Sequence, residues 1–344
     1  MSTYNLGLIN CPDIQRRLDE DFEGARSLVQ DFTPIVNFLT SPANGADTLI
    51  RQVSPGGGKI RTVNLVYPIR LTEDDVSTAV APICTSTNEA GMRETTCELD
   101  ISVGAQAAEK ITWDDLARIC EDNEMYLTSR INALINGVRS KMETEVTDQV
   151  IAALGGFPSD DTEGVAAGIK TVQTLTAAAG TNLDAIEEIG YTKDNLGIPR
   201  LFTFGSGLIT KYFKRLDSGC CLDTMGVDLA SFAGNQGVVH SHAYRVPAAM
   251  PNANDFLGLI PGAAHLVYYN RYARPMQNTS YKKMTMVDPF TGIPFDVELT
   301  DDCGTLVLAV SSVFKVCTLP TDLFSINDRL NGVNGMFHFR VTNP

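Results

Sequence analysis

No Cys-x-x-Cys pair occurs among the eight cysteines of this 344-residue chain, which stand at 11, 84, 97, 120, 220, 221, 303 and 317. That removes zinc-ribbon spacing. Cys220 and Cys221 are adjacent, a poor geometry for an ordinary disulfide. Most of the thiols are expected to stay reduced and to serve as small apolar residues. Cys84 and Cys97 flank a loop and are the pair that oxidation would join, a minor route in a cytosol. No apolar run reaches about 18 residues, so no membrane span is expected. The first residues, Met1-Ser2-Thr3-Tyr4-Asn5, lack a basic flank and an apolar core, so no leader is expected and the protein is placed in a cytosol. Basic residues are also short: 27 Lys and Arg against 41 Asp and Glu leave a net charge of −14. A groove that grips nucleic acid needs clustered Lys and Arg, so that class is disfavoured. A solvating acidic surface, or a wall that contains nucleic acid without adhering to it, fits. Internal repeats and low-complexity blocks are absent too.

Catalytic signals are equally sparse. Gly205-Ser206-Gly207 lies between a strand pattern and a helix pattern, where phosphate loops occur, but it lacks the third glycine of a dinucleotide loop and the Gly-Lys-Ser/Thr of a P-loop. It also lacks the spacing of a Gly-x-Ser-x-Gly elbow, and reads as a helix cap by Ser206. His240 and His242 are two apart on a strand pattern, which puts both rings on one face, yet no acidic or thiol ligand follows them closely. His265 is flanked by apolar strand residues and reads as packing; nothing singles out His338. The acid pairs Glu73-Asp74-Asp75, Asp160-Asp161, Glu187-Glu188 and Asp301-Asp302 read as solvated loop charge or helix capping. No catalytic residue, cofactor or metal is expected.

What is present is length and alternation. Thr112-Trp113-Asp114-Asp115 reads as a helix start with Thr112 as N-cap. Apolar residues then recur at mostly three- and four-residue steps, from Leu116 through Leu127, Ile131, Leu134, Ile135, Val138, Met142, Val146 and Val150 to Leu154. Gly155-Gly156-Phe157-Pro158 stops the pattern. A helix of about 40 residues would span roughly 60 Å, against a usual 11–12 residues. Its stripe should face the apolar run at 305 to 316. Arg118, Arg130, Arg139, Lys141 and Glu143 should meet solvent or a neighbouring subunit.

Before the helix, residues 48 to 53 and 59 to 67 read as the two strands of a long hairpin around Pro55-Gly56-Gly57-Gly58. Residues 93 to 103 alternate again, with Cys97, Leu99 and Ile101 against Glu98, Asp100 and Ser102. Arg51, Lys59 and Arg61 surround the hairpin tip and suit a reaching arm that meets acids on a neighbour, or simply a solvated loop. Residues 1 to 47 read as an arm with little core of its own. After the helix, 162 to 181 reads as small and helical, 198 to 204 as a strand, 208 to 216 as a helix, and 237 to 246, 263 to 274, 305 to 316 and 336 to 341 as strands. The strand at 305 to 316 is the natural partner of the long helix, which implies a helix-plus-strands domain with an α/β domain inserted between its halves.

This order, together with the stretch Arg200-Leu-Phe-Thr-Phe-Gly-Ser-Gly-Leu-Ile-Thr-Lys-Tyr-Phe-Lys-Arg-Leu216 and the turn, hinge and strand from Val246 to Arg274, resembles the major capsid proteins of tailed bacteriophages, the Hong Kong 97 type of shell protein. The resemblance covers nearly the whole chain and is one of architecture. It implies an α+β fold: N-terminal arm 1–47, E-loop hairpin region 48–103, peripheral domain with spine helix 104–160, axial domain 161–262, and return strands of both domains 263–344. It implies a non-enzymatic subunit that assembles with itself into hexamers and pentamers, with scaffolding, portal and decoration proteins as further partners. The shell would enclose double-stranded DNA without sequence-specific binding, would assemble in a host cytoplasm, and would reside in the virion. No long scaffolding segment or protease site precedes the arm, which implies a separate scaffold or assembly without cleavage. Some members join an E-loop Lys to a neighbour's Asn; Lys59 is placed for this, but no partner Asn or assisting Glu can be matched. Two other readings remain open: an encapsulin-like nanocompartment around an enzyme cargo, and a cytosolic α/β enzyme built on 198 to 274.

Overall fold

The computed structural model describes residues 33–41, 44, 49–52, 59–68, 92–112, 114, 123–173, 183–206, 237–278, 280–288, 291–302, 304–319 and 332–342. Three sheets and one long helix organise them. The first sheet is the hairpin and its return: β1 (Leu49–Gln52), β2 (Ile60–Pro68) and β3 (Met92–Asp100), antiparallel in that order. Gln52 lies opposite Val63, and Val63 opposite Cys97, so the alternation seen in the sequence becomes one sheet with Val63, Leu65 and Leu99 turned inward. The arm and the hairpin tip, 53–58, lie outside the described residues apart from α1 (Pro34–Thr40), Thr33, Ser41 and Asn44.

The start of the long helix lies largely outside the described residues, where Asp114 alone is described and is helical. Thr112, read as the N-cap, ends a strand, β4 (Ala105–Thr112), paired with the last long strand, β14 (Thr305–Thr318), with Thr112 opposite Thr305. The strand over 105–112, which the sequence reading did not assign, carries an alternating burial pattern. The described helix, α2, runs Asn123–Ala152, 30 residues, or about 45 Å; residues 115–122 lie outside the description. Its stripe of Leu127, Ile131, Ile135, Val138, Met142, Val146 and Val150 is buried, and it packs on β14 and β4 as the sequence indicated. The stop is also where it was placed. Asn334 Nδ2 donates to the carbonyl of Ala153 at 2.7 Å. The same side chain explains Gly155: a Cβ there would stand 2.2 Å from Asn334 Oδ1.

The second sheet runs β10 (Ala264–Tyr269), β14, β13 (Pro294–Asp302), β12 (Tyr281–Val287) and β11 (Met276–Gln277), with β4 also on β14. The third runs β5 (Val165–Ala166), β6 (Ile169–Gln173), β15 (Met336–Thr342), β9 (Asp255–Leu259), β7 (Leu201–Gly205) and β8 (Val238–His242). Residues 165–173 are therefore a hairpin and not the small helix expected over 162 to 181. Its turn uses positive φ at Ala167 and Gly168, a backbone that a helix excludes. Helix α3 (Leu183–Asn195), which the sequence reading missed, packs on β6 and β8, and the short α4 (Val246–Ala249) packs on β9, β7 and α2. The helix expected at 208 to 216 lies outside the described residues.

Connectivity follows from these pairings. The second sheet takes β4 from before the long helix and β10 to β14 from the later chain. Strands β5 to β9 lie between them in sequence. The chain then returns once more, placing β15 inside the third sheet, parallel to β6 and antiparallel to β9. Phe157, Phe256, Phe337 and Phe339 stack around that strand, with ring centroids 5.1–6.2 Å apart. One contiguous apolar core unites the second and third sheets with α1 and α2. The hairpin sheet belongs instead to a separate small cluster: Val63, Leu65, Val267 and Cys317, with Cys97 against them.

Candidate assembly surfaces

The charged residues singled out on the long helix divide by depth. Arg139 and Glu143 were expected at solvent or a neighbour, but both are 1% exposed. The reason is position: each falls where another element crosses the helix. Arg139 Nη1 meets Asp288 Oδ2 at 3.3 Å and Arg139 Nη2 donates to Asn136 Oδ1 at 2.9 Å. Asp288 opens the turn between β12 and β13 and accepts from Thr291 Oγ1 at 2.7 Å. Glu143 accepts from the backbone N–H of Ile35 at 3.0 Å and of Val36 at 2.9 Å, the first turn of α1. A carboxylate suits those unpaired N–H groups. Burial nevertheless pushes the Glu143 carboxyl up to about 7, opposed by these two bonds and by the nearby Arg245 guanidinium. Arg245 itself donates to Thr144 Oγ1 at 2.6 Å and to Ser140 Oγ, tying α4 to the same helix.

Arg130 and Lys141 do lie at the surface. Arg130 Nε donates to Glu109 Oε2 at 2.9 Å, and its Nη2 reaches the other oxygen, a two-point pair from α2 to β4. Lys141 makes an i,i+4 pair with Glu145 at 2.6 Å, both well exposed. Arg118 lies outside the described residues, and of Arg51 only the backbone, in β1, is described.

At the hairpin, Lys59 is exposed beside β2 and its carbonyl accepts from Ile101 N at 2.9 Å. Arg61 places its guanidinium 5.4 Å from the Tyr269 ring centroid, a cation–π geometry. Lys59 and Arg61 thus share one strand end, while the helix cations sit on other elements; the structure does not gather them into one patch. A groove of about 350 Å³ opens where the start of β2 and the end of β3 meet α2 and β14, lined by Ile60, Leu99, Val103, Gln149, Phe314 and Lys315 among others. Of the lining residues, Ile60 is 50% and Val103 58% exposed.

The cysteine expectation is overturned at the same place. Cys97 pairs with Cys317, Cα to Cα 5.8 Å, and not with Cys84, which lies outside the described residues. With 220 residues between them, no spacing in the sequence announces the pair.

The remaining titratable residues support packing. His240 is half-buried; burial first, then the neighbouring His242, lowers its pKa to about 4, and its Nδ1 stands 3.0 Å from Thr203 Oγ1. Buried Asp255 takes two bonds from Arg340, at 2.6 and 2.9 Å, and lies 3.0 Å from His338 Nε2. Burial raises the Asp255 carboxyl, but these partners together hold it below the usual range. Lys170 is buried against Asp161, Thr192 and Glu188. Among the described residues no group of three or more His, Cys, Asp or Glu could hold a metal ion, and no helix is long and apolar enough to cross a membrane.

No family model matches this chain, and no curated protein matches it. Solved structures similar to it are phage capsids. The cyanophage A-1(L) capsid asymmetric unit is 12% identical with a TM-score of 0.49, covering 91% of this chain and 94% of that one. The acidic stable capsid of Helicobacter pylori bacteriophage KHP30 is 11% identical with a TM-score of 0.45, covering 99% of each. The mature capsid of bacteriophage PhiM1 is 12% identical with a TM-score of 0.43, covering 82% of each.

Proposed function

We propose that this chain is the major capsid protein of a tailed bacteriophage, assembling with copies of itself through hexamers and pentamers into an icosahedral shell around double-stranded DNA. The observation that carries the proposal is the order and nesting of elements. A hairpin sheet at 49–100 precedes a 30-residue helix; that helix lies on strands from both sides of it in sequence, β4 and β14. Strands β5 to β9 fall between those halves and join β15 in a sheet of their own. In the Hong Kong 97 scheme these are the E-loop, the spine helix and strands of the peripheral domain, and the axial domain, with boundaries 1–47, 48–103, 104–160, 161–262 and 263–344.

Physics supports this reading. Among its described side chains the hairpin sheet buries only Val63, Leu65 and Leu99 as hydrophobic residues, a small face for a sheet to be stable by itself, so partner contacts are its natural source of further stability. Lys59, Arg61, Arg130 and Lys141 are the candidate inter-subunit contacts among described side chains, with Arg51 and Arg118 beside them from the sequence. Arg139 and Glu143 serve the subunit's interior. A net charge of −14 suits a wall that does not hold packaged DNA fast.

Negative-stain microscopy of the purified chain, with a scaffold where needed, should show shells or capsomer rings; persistent compact monomers would refute the proposal. Deleting 50–65 should leave the body folded and impair shell formation. Shells that contain an enzyme and no DNA would assign the chain to an encapsulin-like nanocompartment instead.

A further inference from the structure

Besides the backbone from β3 into β4, one disulfide joins the hairpin sheet to the body. Cys97 lies on β3 and Cys317 on β14, and β14 is the strand that pairs with β4, β13 and β10. The other described ties at this junction are modest. They are the Val63, Leu65 and Val267 cluster, a hydrogen bond from Arg271 Nη2 to the Ile101 carbonyl at 2.6 Å, and the Arg61–Tyr269 stacking. The two sulfurs also differ in access. Cys317 is 2% exposed, whereas Cys97 sits on the half-buried face of an edge strand of its sheet.

We infer that Cys97 and Cys317 form a redox-operated fastener on the hairpin, closed and opened by exchange with low-molecular-weight thiols and disulfides that enter at Cys97. In the closing direction the Cys97 thiolate attacks a small disulfide RSSR, releasing RS⁻ and leaving Cys97–S–S–R. The Cys317 thiolate then attacks the Cys97 sulfur and expels the second RS⁻. The two thiol protons end on the two RS⁻, so the products are one protein disulfide and two RSH. Opening is the reverse, with the small thiol attacking at Cys97 because Cys317 is enclosed. In the closed form the two Cα atoms stand 5.8 Å apart, inside the range of ordinary disulfides.

The mechanical consequence follows from where Cys317 sits. It lies opposite His265 in the β10–β14 ladder, within the second sheet. While the bond is closed, separating the hairpin sheet from the body requires disturbing that ladder. While it is open, separation breaks the small cluster and polar ties such as those of Arg271 and Arg61 but leaves that ladder intact, a more local event. In a reducing compartment the thiols are free and the hairpin can leave and re-dock; in an oxidising one it is held. This holds for the single chain and does not rest on its being a shell protein.

The test uses the full-length chain, once kept with a phosphine reductant and once equilibrated with oxidised glutathione, with non-reducing peptide mapping to show the Cys97–Cys317 link. Hydrogen exchange is then read in 60–68, 92–100 and 123–152. Oxidation should slow exchange in the two hairpin strands about tenfold or more and leave the long helix unchanged. Glutathione should add to Cys97 in Cys317→Ser much faster than to Cys317 in Cys97→Ser. Failure of the link to form, equal exchange of 60–68 and 92–100 in the two states, or equal glutathione addition at both cysteines would overturn the inference. The exchange comparison needs no substitution, so a variant that fails to fold does not remove it.

Discussion

The long helix and the hairpin sheet are held by opposite means. Helix α2 buries a seven-residue apolar stripe in the main core. Two internal charges, Arg139 toward the β12–β13 turn and Glu143 toward α1, fix its neighbours. The hairpin sheet buries Val63 and Leu65 against Val267, and is tied by a disulfide. A buried stripe is stable by itself because each residue touches many others. A sheet with so small a buried face depends on what is attached to it. The difference teaches where the described chain concentrates its stability: the helix region draws on the main core, and the hairpin on a small cluster and a disulfide.

Breaking that comparison is most direct at the buried ion pair. Arg139→Met should cost about 3–5 kcal/mol, because Asp288 is left buried without its cation; denaturant unfolding reads this. Met142→Ala in the stripe should cost about 2–5 kcal/mol. The matching hairpin substitution, Leu65→Ala, should move the global midpoint by less than about 1 kcal/mol while speeding hydrogen exchange in 60–68, since the sheet opens locally. Equal global losses for the two would show that the hairpin belongs to the same cooperative unit as the helix.

Glu143 adds a pH arm to the same test. Its folded pKa is raised, to about 7, from an ordinary 4.5. A raised carboxyl pKa means the folded chain binds the proton more tightly. The associated stability is fully present below about pH 4.5 and is lost as pH rises through about 7, on the order of 3 kcal/mol across the window. Thermal midpoints should therefore fall between pH 5 and pH 8, and exchange in 34–40 should rise. Glu143→Ala should remove that slope and cost about 1–3 kcal/mol from the unpaired N–H groups of Ile35 and Val36. A slope that survives the substitution would place the titration elsewhere. The smallest effect belongs to the surface: Lys141→Ala should cost at most about 0.5 kcal/mol, as for other exposed i,i+4 pairs.

Much of the architecture was legible because it is periodic. The 3.6-residue stripe from Leu127 to Val150, the two-residue alternation of β2 and β3, and the apolar run of β14 are local signals that tertiary contacts confirm rather than create. The failures share one cause. Residues 105–112 drew no strand reading from their neighbours in sequence, but they pair with 305–312 from the far end of the chain. Residues 165–173 looked helical by Ala and Gly content, but the parallel pairing of β6 with β15, from the far end of the chain, decides their state. The same limit governs the candidate contacts. Charge alone placed Arg139 and Glu143 beside Arg130 and Lys141, and nothing in their spacing says that Asp288 and Ile35 will cross the helix at two of those four positions.

The sequence by itself determined the long helix and its stop, the hairpin, the nested order of elements, and the acidic balance that disfavours a nucleic-acid groove. Those depend on residues near one another in the chain or on composition. Only the tertiary structure decided which charges are interior, where the last strand inserts, and that Cys97 meets Cys317. Each of those joins residues about 100 or more positions apart, between Ile35 and Glu143, Arg139 and Asp288, Ile169 and His338, and Cys97 and Cys317. Local pattern carries no information about such meetings, because they are set by how the sheets close around one core.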